Sequence, residues 1–133
     1  MWRELQGERL DGEVLEIGGG SGAMAAELLR KCPDVRLTVT DYDEVMVGTA
    51  RTRLGEFGER VSVRQADATR LPFADASFDT VVSFIMLHHV IDGEAAVAEA
   101  GRVLRPGGRL IGYDLLASRP MQLLTKPRAR GNA

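Results

Sequence analysis

Apolar positions along this chain alternate between two kinds of segment. Short, nearly unbroken runs at Glu13–Ile17, Val35–Thr40, Val61–Ala66, Phe78–Phe84 and Arg109–Asp114 read as strands. The second alternates Val35, Leu37 and Val39 in a β-branched-rich manner, and the fourth is almost wholly apolar and so central. Between them, apolar residues recur at spacings of three and four. Helices are predicted from Gly22 to about Lys31 (Ala25, Leu28, Leu29 inward) and from Asp43 to about Leu54 (Met46, Val47, Ala50, Leu54). A third runs from Asp92 to Leu104, with Ala96, Val97, Ala100, Val103 and Leu104 inward. Pro33, Gly55 and Gly58 punctuate helix ends, Thr69–Ser77 is a loop, and Pro106-Gly107-Gly108 reads as a turn. Beyond Leu115–Leu116 and Met121–Leu124 the tail has no clear period.

Strands alternating with helices favour a parallel sheet joined by right-handed crossovers. The expected fold is α/β and doubly wound, a Rossmann-like sheet in the order 3-2-1-4-5. At 133 residues it forms one domain, with a core over 13–114 and a tail over 115–133. In such a sheet the ligand crevice opens where strand order reverses, between strands one and four, beyond the carboxyl ends of the strands.

The residues expected at that crevice are unusual. Val14-Leu15-Glu16-Ile17 breaks directly into Gly18-Gly19-Gly20-Ser21-Gly22, a turn that lets a ligand lie against the main chain. Gly18-x-Gly20-x-x-Ala23 meets the dinucleotide fingerprint in its Gly/Ala form, so NAD is one candidate. Glu16 argues against it. Its carboxylate and a pyrophosphate ~6 Å apart at an effective dielectric of ~20 repel by about 3 kcal/mol. S-adenosylmethionine, with an ammonium, a sulfonium and no phosphate, gains from the same carboxylate. After the second strand, Asp41 stands nineteen positions past Gly22, where an acid reaches ribose hydroxyls; Asp43 is the better placed helix cap. After the third strand, Asp67 is suited to accept from an adenine amino group and the Ala68 N–H to donate to a ring nitrogen.

Composition narrows the function classes. With 44% hydrophobic and 27% charged residues the chain is ordinary for a globular protein, and a net charge of −2 gives no general reason to bind nucleic acid. No apolar run reaches the length of a membrane span and the first residues carry no signal pattern, so a cytoplasmic protein is expected. The lone Cys32 excludes an internal disulfide and a multi-thiolate metal site; no metal is expected. The basic stretch Lys126–Gly131 reads as a solvated tail.

Taken together, Val14–Gly22, Asp41, Asp67-Ala68, Leu71-Pro72-Phe73, Ser77-Phe78-Asp79, Leu87-His88-His89-Val90 and Arg102–Gly108 resemble class I S-adenosylmethionine-dependent methyltransferases. They look most like the small-molecule branch that includes the ubiquinone and menaquinone biosynthesis C-methyltransferases. The resemblance implies S-adenosyl-L-methionine as cofactor. Glu16 with Gly18, Gly20 and Gly22 would hold its methionine part, Asp41 its ribose, and Asp67 with Ala68 its adenine. Tyr42 or Met46 would pack on the adenine face, and Ile85 to His89 would border the methyl group and the acceptor. His89 and His88 are the candidate bases by residue type, either being equally at home as a packed or capping residue.

The acceptor is narrowed by two absences. Phe84-Ile85-Met86-Leu87 stands where enzymes acting on exocyclic amino groups carry an Asn-Pro-Pro-aromatic run, and the thiols for arsenite chemistry are missing. An apolar or mixed-polarity small molecule remains. Relatives continue past strand five with a helix and an antiparallel hairpin, and open with a helical cover. About twelve residues precede strand one here and nineteen follow Asp114, so the hairpin is expected to be absent. Strand five is then an open edge, inviting a second copy, a partner subunit or the tail to cover it. Three readings follow: a minimal methyltransferase completed by self-association or a partner; a cofactor-binding module or truncated form without turnover; an NAD-dependent oxidoreductase domain.

Overall fold

Strand β1 (Gly12–Ile17) is buried on both faces along its last four residues, which is why its sequence is a continuous apolar run broken only by Glu16. Around it a computed structural model of the chain, describing residues 10–83, 93–114 and 119–128, places the other elements. These are α1 (Ala23–Lys31), β2 (Val35–Asp41), α2 (Glu44–Leu54), a 3-10 segment (Gly55–Arg60), β3 (Val61–Gln65), β4 (Phe78–Ser83), α3 (Gly93–Val103), β5 (Leu104–Asp114) and β6 (Arg119–Thr125). Strand order among the described residues is β3-β2-β1-β4-β5-β6, and β1 to β5 pair in parallel in the expected order.

Beyond strand five the expectation is corrected. Part of the tail forms β6, antiparallel to β5 from Arg109↔Thr125 to Asp114↔Arg119. The backbone edge of β5 is therefore covered by the chain itself, and among the described residues the sheet ends at β6. The predicted turn at Pro106-Gly107-Gly108 instead lies inside β5, which begins at Leu104. Pairing with β4 jumps there, from Phe78↔Leu104 to Thr80↔Arg109, and Gly107 takes φ +85°. The irregularity is tied down by β6's neighbour: Gly107 N–H donates to Lys126 O at 2.8 Å and Lys126 N–H to Gly108 O at 2.9 Å. Proline, lacking an N–H, is tolerated where the ladder is already broken.

Alternation along β1 sends Val14 and Leu15 into opposite layers. Val14 packs with Ala25, Leu28 and Leu29 of α1, Leu37 and Val39 of β2, and Ala50 and Leu54 of α2. Leu15 packs with Val81 of β4, Ala100 and Val103 of α3, and Leu104 and Leu110 of β5. Helices thus cover both faces, and each fully buried leucine contributes about 1.5–3 kcal/mol. Met46 departs from its predicted place in the α2 core. Val47, Ala50 and Leu54 are buried, whereas Met46 is 38% exposed near the carboxyl end of β2. No helix among the described residues is long and apolar enough to cross a membrane.

Candidate functional site

The glycine turn leaves β1 held by its neighbour β2. Gly18 and Gly19 both donate their N–H groups to Thr40 O at 2.9 Å, and Gly20 N–H donates to Asp41 Oδ2 at 2.9 Å. Gly18, Gly20 and Gly22 take φ of +73°, +57° and +87°, a region that side-chain-bearing residues seldom adopt. Gly19 faces inward: a Cβ there would collide with Val39 Cγ1 and stand 3.2 Å from Glu16 Oε1. Gly20 faces the other way, with no atom of the described residues within 4 Å of where its Cβ would be. The turn is a rigid shelf with bare backbone on its open side.

Beneath the shelf lies Glu16. By strand alternation it shares the face of Val14, and it is 1% exposed. Neither of its carboxylate oxygens has a hydrogen-bond partner among the described residues. Burial, and secondarily the negative charge of Asp41, push its carboxyl up to about 8. A buried carboxyl is costly unless a donor satisfies it.

Asp41 does two structural jobs. Its Oδ2 anchors Gly20, and its Oδ1 accepts from Asp43 N–H at 2.9 Å. Asp43 is the α2 cap, its side chain accepting from Val45 N–H at 2.8 Å, as its position in the sequence predicts. An ionised carboxylate has about four lone-pair sites, so Asp41 keeps acceptor capacity for a ligand. The exposed large apolar side chains among the described residues, Tyr42, Val45 and Met46, all lie at this β2–α2 junction.

The end of β3 is drawn to the same place, because Ala66 N–H donates to Asp41 O at 3.0 Å. Asp67 follows immediately and is exposed. Its Oδ1 accepts from Thr69 N–H at 2.8 Å and Thr69 Oγ1 at 2.7 Å, and these bonds hold its carboxyl below the usual range. Ala68 rests against the α3-side core. The structure therefore brings Glu16, Gly18, Gly20, Gly22, Asp41, Tyr42, Met46, Asp67 and Ala68 to the carboxyl tips of adjacent strands β1, β2 and β3. His88, His89 and Ile85–Leu87 lie outside the described residues. Sequence reasoning missed Thr40, whose carbonyl receives two turn N–H groups and whose Oγ1 donates to Glu16 O at 3.0 Å. A threonine in a β-rich run carries no signal for such a role.

The geometry also changes the argument about cofactor class. A carboxyl raised to about 8 is mostly neutral near pH 7, so repulsion between Glu16 and a pyrophosphate is weaker there than a charged Glu16 implies. A different feature now disfavours the dinucleotide. The N–H groups of Gly18, Gly19 and Gly20, which a phosphate cradle would present, are already given to Thr40 O and Asp41.

Residues 15–112 match the family described as methyltransferase domain. Among curated relatives, the ubiquinone/menaquinone biosynthesis C-methyltransferase UbiE of Paracoccus denitrificans is 41% identical over 104 residues, covering 76% of this chain and 42% of that protein. The crystal structure of the [4+2]-cyclase SpnF superposes with a TM-score of 0.74 at 32% identity, covering 84% of this chain and 43% of that one. Phosphoethanolamine N-methyltransferase 2 of Haemonchus contortus, in complex with S-adenosyl-L-methionine, gives a TM-score of 0.71 at 26% identity, over 78% of this chain and 24% of that one. The chain thus spans less than half the length of each of these proteins. The match covers residues 15–112, most of the chain, and the strand order accords with it: this chain belongs to the methyltransferase family.

Proposed function

We propose that this chain binds S-adenosyl-L-methionine across the Gly18–Gly22 shelf and serves methyl transfer to a small molecule of apolar or mixed polarity. One observation carries the reading: Glu16, fully buried beneath the turn on the Gly19 side, has two carboxylate oxygens without a hydrogen-bond partner among the described residues. A cationic ammonium from the cofactor satisfies them and draws the carboxyl into its ionised form. Asp41 accepts from the ribose hydroxyls with its remaining lone pairs. Tyr42 and Met46 cover the adenine face, Asp67 accepts from the adenine amino group, and the Ala68 N–H donates to the ring.

When bound, the cofactor supplies a methyl group already activated on a sulfonium, with a neutral thioether as leaving group. The chain's part is positioning, which supplies up to ~7–11 kcal/mol of the barrier when the acceptor is held at near-attack distance. In this reading the residues after β4 border the acceptor, and His89, or His88, takes a proton where the acceptor must lose one, typically worth ~10²–10⁴-fold. A quinone-like aromatic is the acceptor class to try first, given the Paracoccus relative's name. In this reading a second copy or a partner subunit pairs along the β6 edge, and the setting is cytoplasmic.

Transfer of label from methyl-labelled S-adenosylmethionine to a phenolic or quinol acceptor is the expected outcome. A second reading, cofactor binding without methyl transfer, is favoured by the likeness to a cyclase. It predicts saturable binding of S-adenosylhomocysteine and no labelled product from any acceptor. If neither binding nor label is seen, both readings are wrong.

The shelf itself can be probed at Gly20. Gly20→Ala places a methyl on the open face and strains a backbone at φ +57°, costing about 1–2 kcal/mol of stability. The expected result is a folded protein whose S-adenosylhomocysteine affinity, read by calorimetry, drops at least roughly tenfold as the close approach is lost. Unchanged affinity would move the ligand off this turn.

A further inference from the structure

The motif Arg102–Gly108 has no part in the site so far, yet Arg102 reaches back into the loop that carries Asp67 and Ala68. Its Nε and Nη2 donate to Glu99 Oε1 and Oε2 at 2.8 and 2.9 Å, an i,i+3 pair on α3. The same guanidinium donates to Leu71 O at 3.0 Å, Phe73 O at 2.8 Å and Asp75 Oδ1 at 2.8 Å. Glu99 Oε2 in turn accepts from Leu71 N–H at 2.8 Å. Both backbone polar groups of Leu71 are thus held by one ion pair, and the Leu71 side chain is buried in the α3-side core. The bonds to Arg102 and Leu71 hold the Glu99 carboxyl below its usual range.

Leu71 ends a short turn that begins at Asp67. Arg70 N–H donates to Asp67 O at 3.0 Å, closing Asp67 to Arg70 on itself. At its start the turn is fixed to β2 by Ala66 N–H on Asp41 O, and at its end the next residue is fixed to α3 by Glu99 and Arg102. Remove the second anchor and the backbone of Leu71 is released. Only apolar contact of Leu71 and Ala68 with the α3-side core then holds that end of the turn, and the exposed Asp67 loses its fixed direction. We infer that the Glu99–Arg102 pair is a positioning device that sets selectivity for adenine, by holding the Asp67–Ala68 turn at both ends between β2 and α3. This rests on the reading of Asp67 and Ala68 as adenine contacts.

An arginine is required because its planar fork serves two carboxylates and two carbonyls at once; a lysine ammonium offers one point charge and no such fork. Glu99 and Arg102 spend their hydrogen bonds on each other, on Asp75 and on the backbone of Leu71 and Phe73, so the effect belongs to recognition of the base and leaves the Glu16 end unchanged. Hypoxanthine in place of adenine exchanges the amino donor for a carbonyl and the ring acceptor for an N–H, mismatching both Asp67 and the Ala68 N–H.

The test compares calorimetric affinities for S-adenosylhomocysteine and S-inosylhomocysteine in the parent protein, Arg102→Lys and Glu99→Gln. The ratio between ligands is read on the folded molecules alone, so a loss of stability does not move it. In the parent the adenine ligand binds at least roughly tenfold more tightly, the effect of two mismatched hydrogen bonds. In both variants the ratio falls to within about twofold of one, while a cofactor fragment lacking the base, S-ribosylhomocysteine, binds as in the parent. A parental ratio kept in both variants overturns the inference, as does a parent that binds both ligands equally. A parent that binds neither ligand overturns the proposed function itself.

Discussion

From pH 8 to pH 6, S-adenosylhomocysteine should come to bind this protein about fiftyfold more weakly, and Glu16→Gln should flatten that profile at the weak end. The ligand's ammonium calls for an ionised Glu16, but the buried carboxyl is raised to about 8. Half the carboxyl is ionised at about pH 8; the first unit below cuts that fraction, and with it the apparent affinity, about fivefold and each further unit about tenfold. The same group makes an opposite demand on stability. A carboxyl with a folded value near 8 and an unfolded value near 4.5 holds its proton in the native state and releases it on unfolding. Its contribution is fully present below about pH 4.5 and declines by about 1.4 kcal/mol per unit until pH passes about 8. Glu16→Gln cannot ionise in either state, so it should gain about 3 kcal/mol on the parent between pH 5 and pH 8. Urea unfolding at the two values measures this. A parent-like pH profile in the variant, for either binding or stability, would mean that Glu16 is not the buried acid described.

Asp41→Asn should have the second largest effect. Asn has one acceptor oxygen where Asp41 serves both Gly20 N–H and Asp43 N–H, so one of these donors meets an amide NH2. The shelf loosens, the α2 entry loses a tether, and the ribose loses a charged acceptor. Charge-assisted hydrogen bonds are worth about 1.5–3 kcal/mol, so an affinity loss of about 100-fold for S-adenosylhomocysteine is expected. Comparison with its 2′-deoxy analogue separates the two roles. The parent should prefer the ribose form about tenfold, and the variant should show no preference. A variant that binds weakly yet keeps the preference would restrict Asp41 to holding the turn.

Much of this was readable in the residues, for identifiable reasons. The parallel order of β1 to β5 follows from apolar runs and helical spacings that burial then enforces on both sheet faces. Strand β6 was not readable, because Arg-Pro-Met-Gln-Leu-Leu-Thr alternates poorly and has a proline as its second residue; its pairing depends on β5 lying alongside. Pro106-Gly107-Gly108 carries turn chemistry, and only the register jump against β4 absorbs it into a strand. The acids at the strand tips were legible because the fold places strand ends at the crevice. The neutralising burial of Glu16 and the Asp41–Gly20 bond were not, since both arise from chain segments 21 or more residues apart. Arg102 shows the same limit: its pairing with Glu99 has local spacing, but its grip on Leu71 and Phe73 spans some thirty positions.

The central claim is that a cationic adenosyl ligand rests on the glycine shelf and ionises the acid beneath it. Calorimetric titration with S-adenosylhomocysteine at pH 7, in buffers of different ionisation enthalpy, tests it directly. The expected result is one site per chain with release of about 0.9 proton on binding, the fraction of Glu16 still protonated one unit below its raised value. Heat that does not depend on the buffer, or no saturable heat at millimolar ligand, would contradict the account.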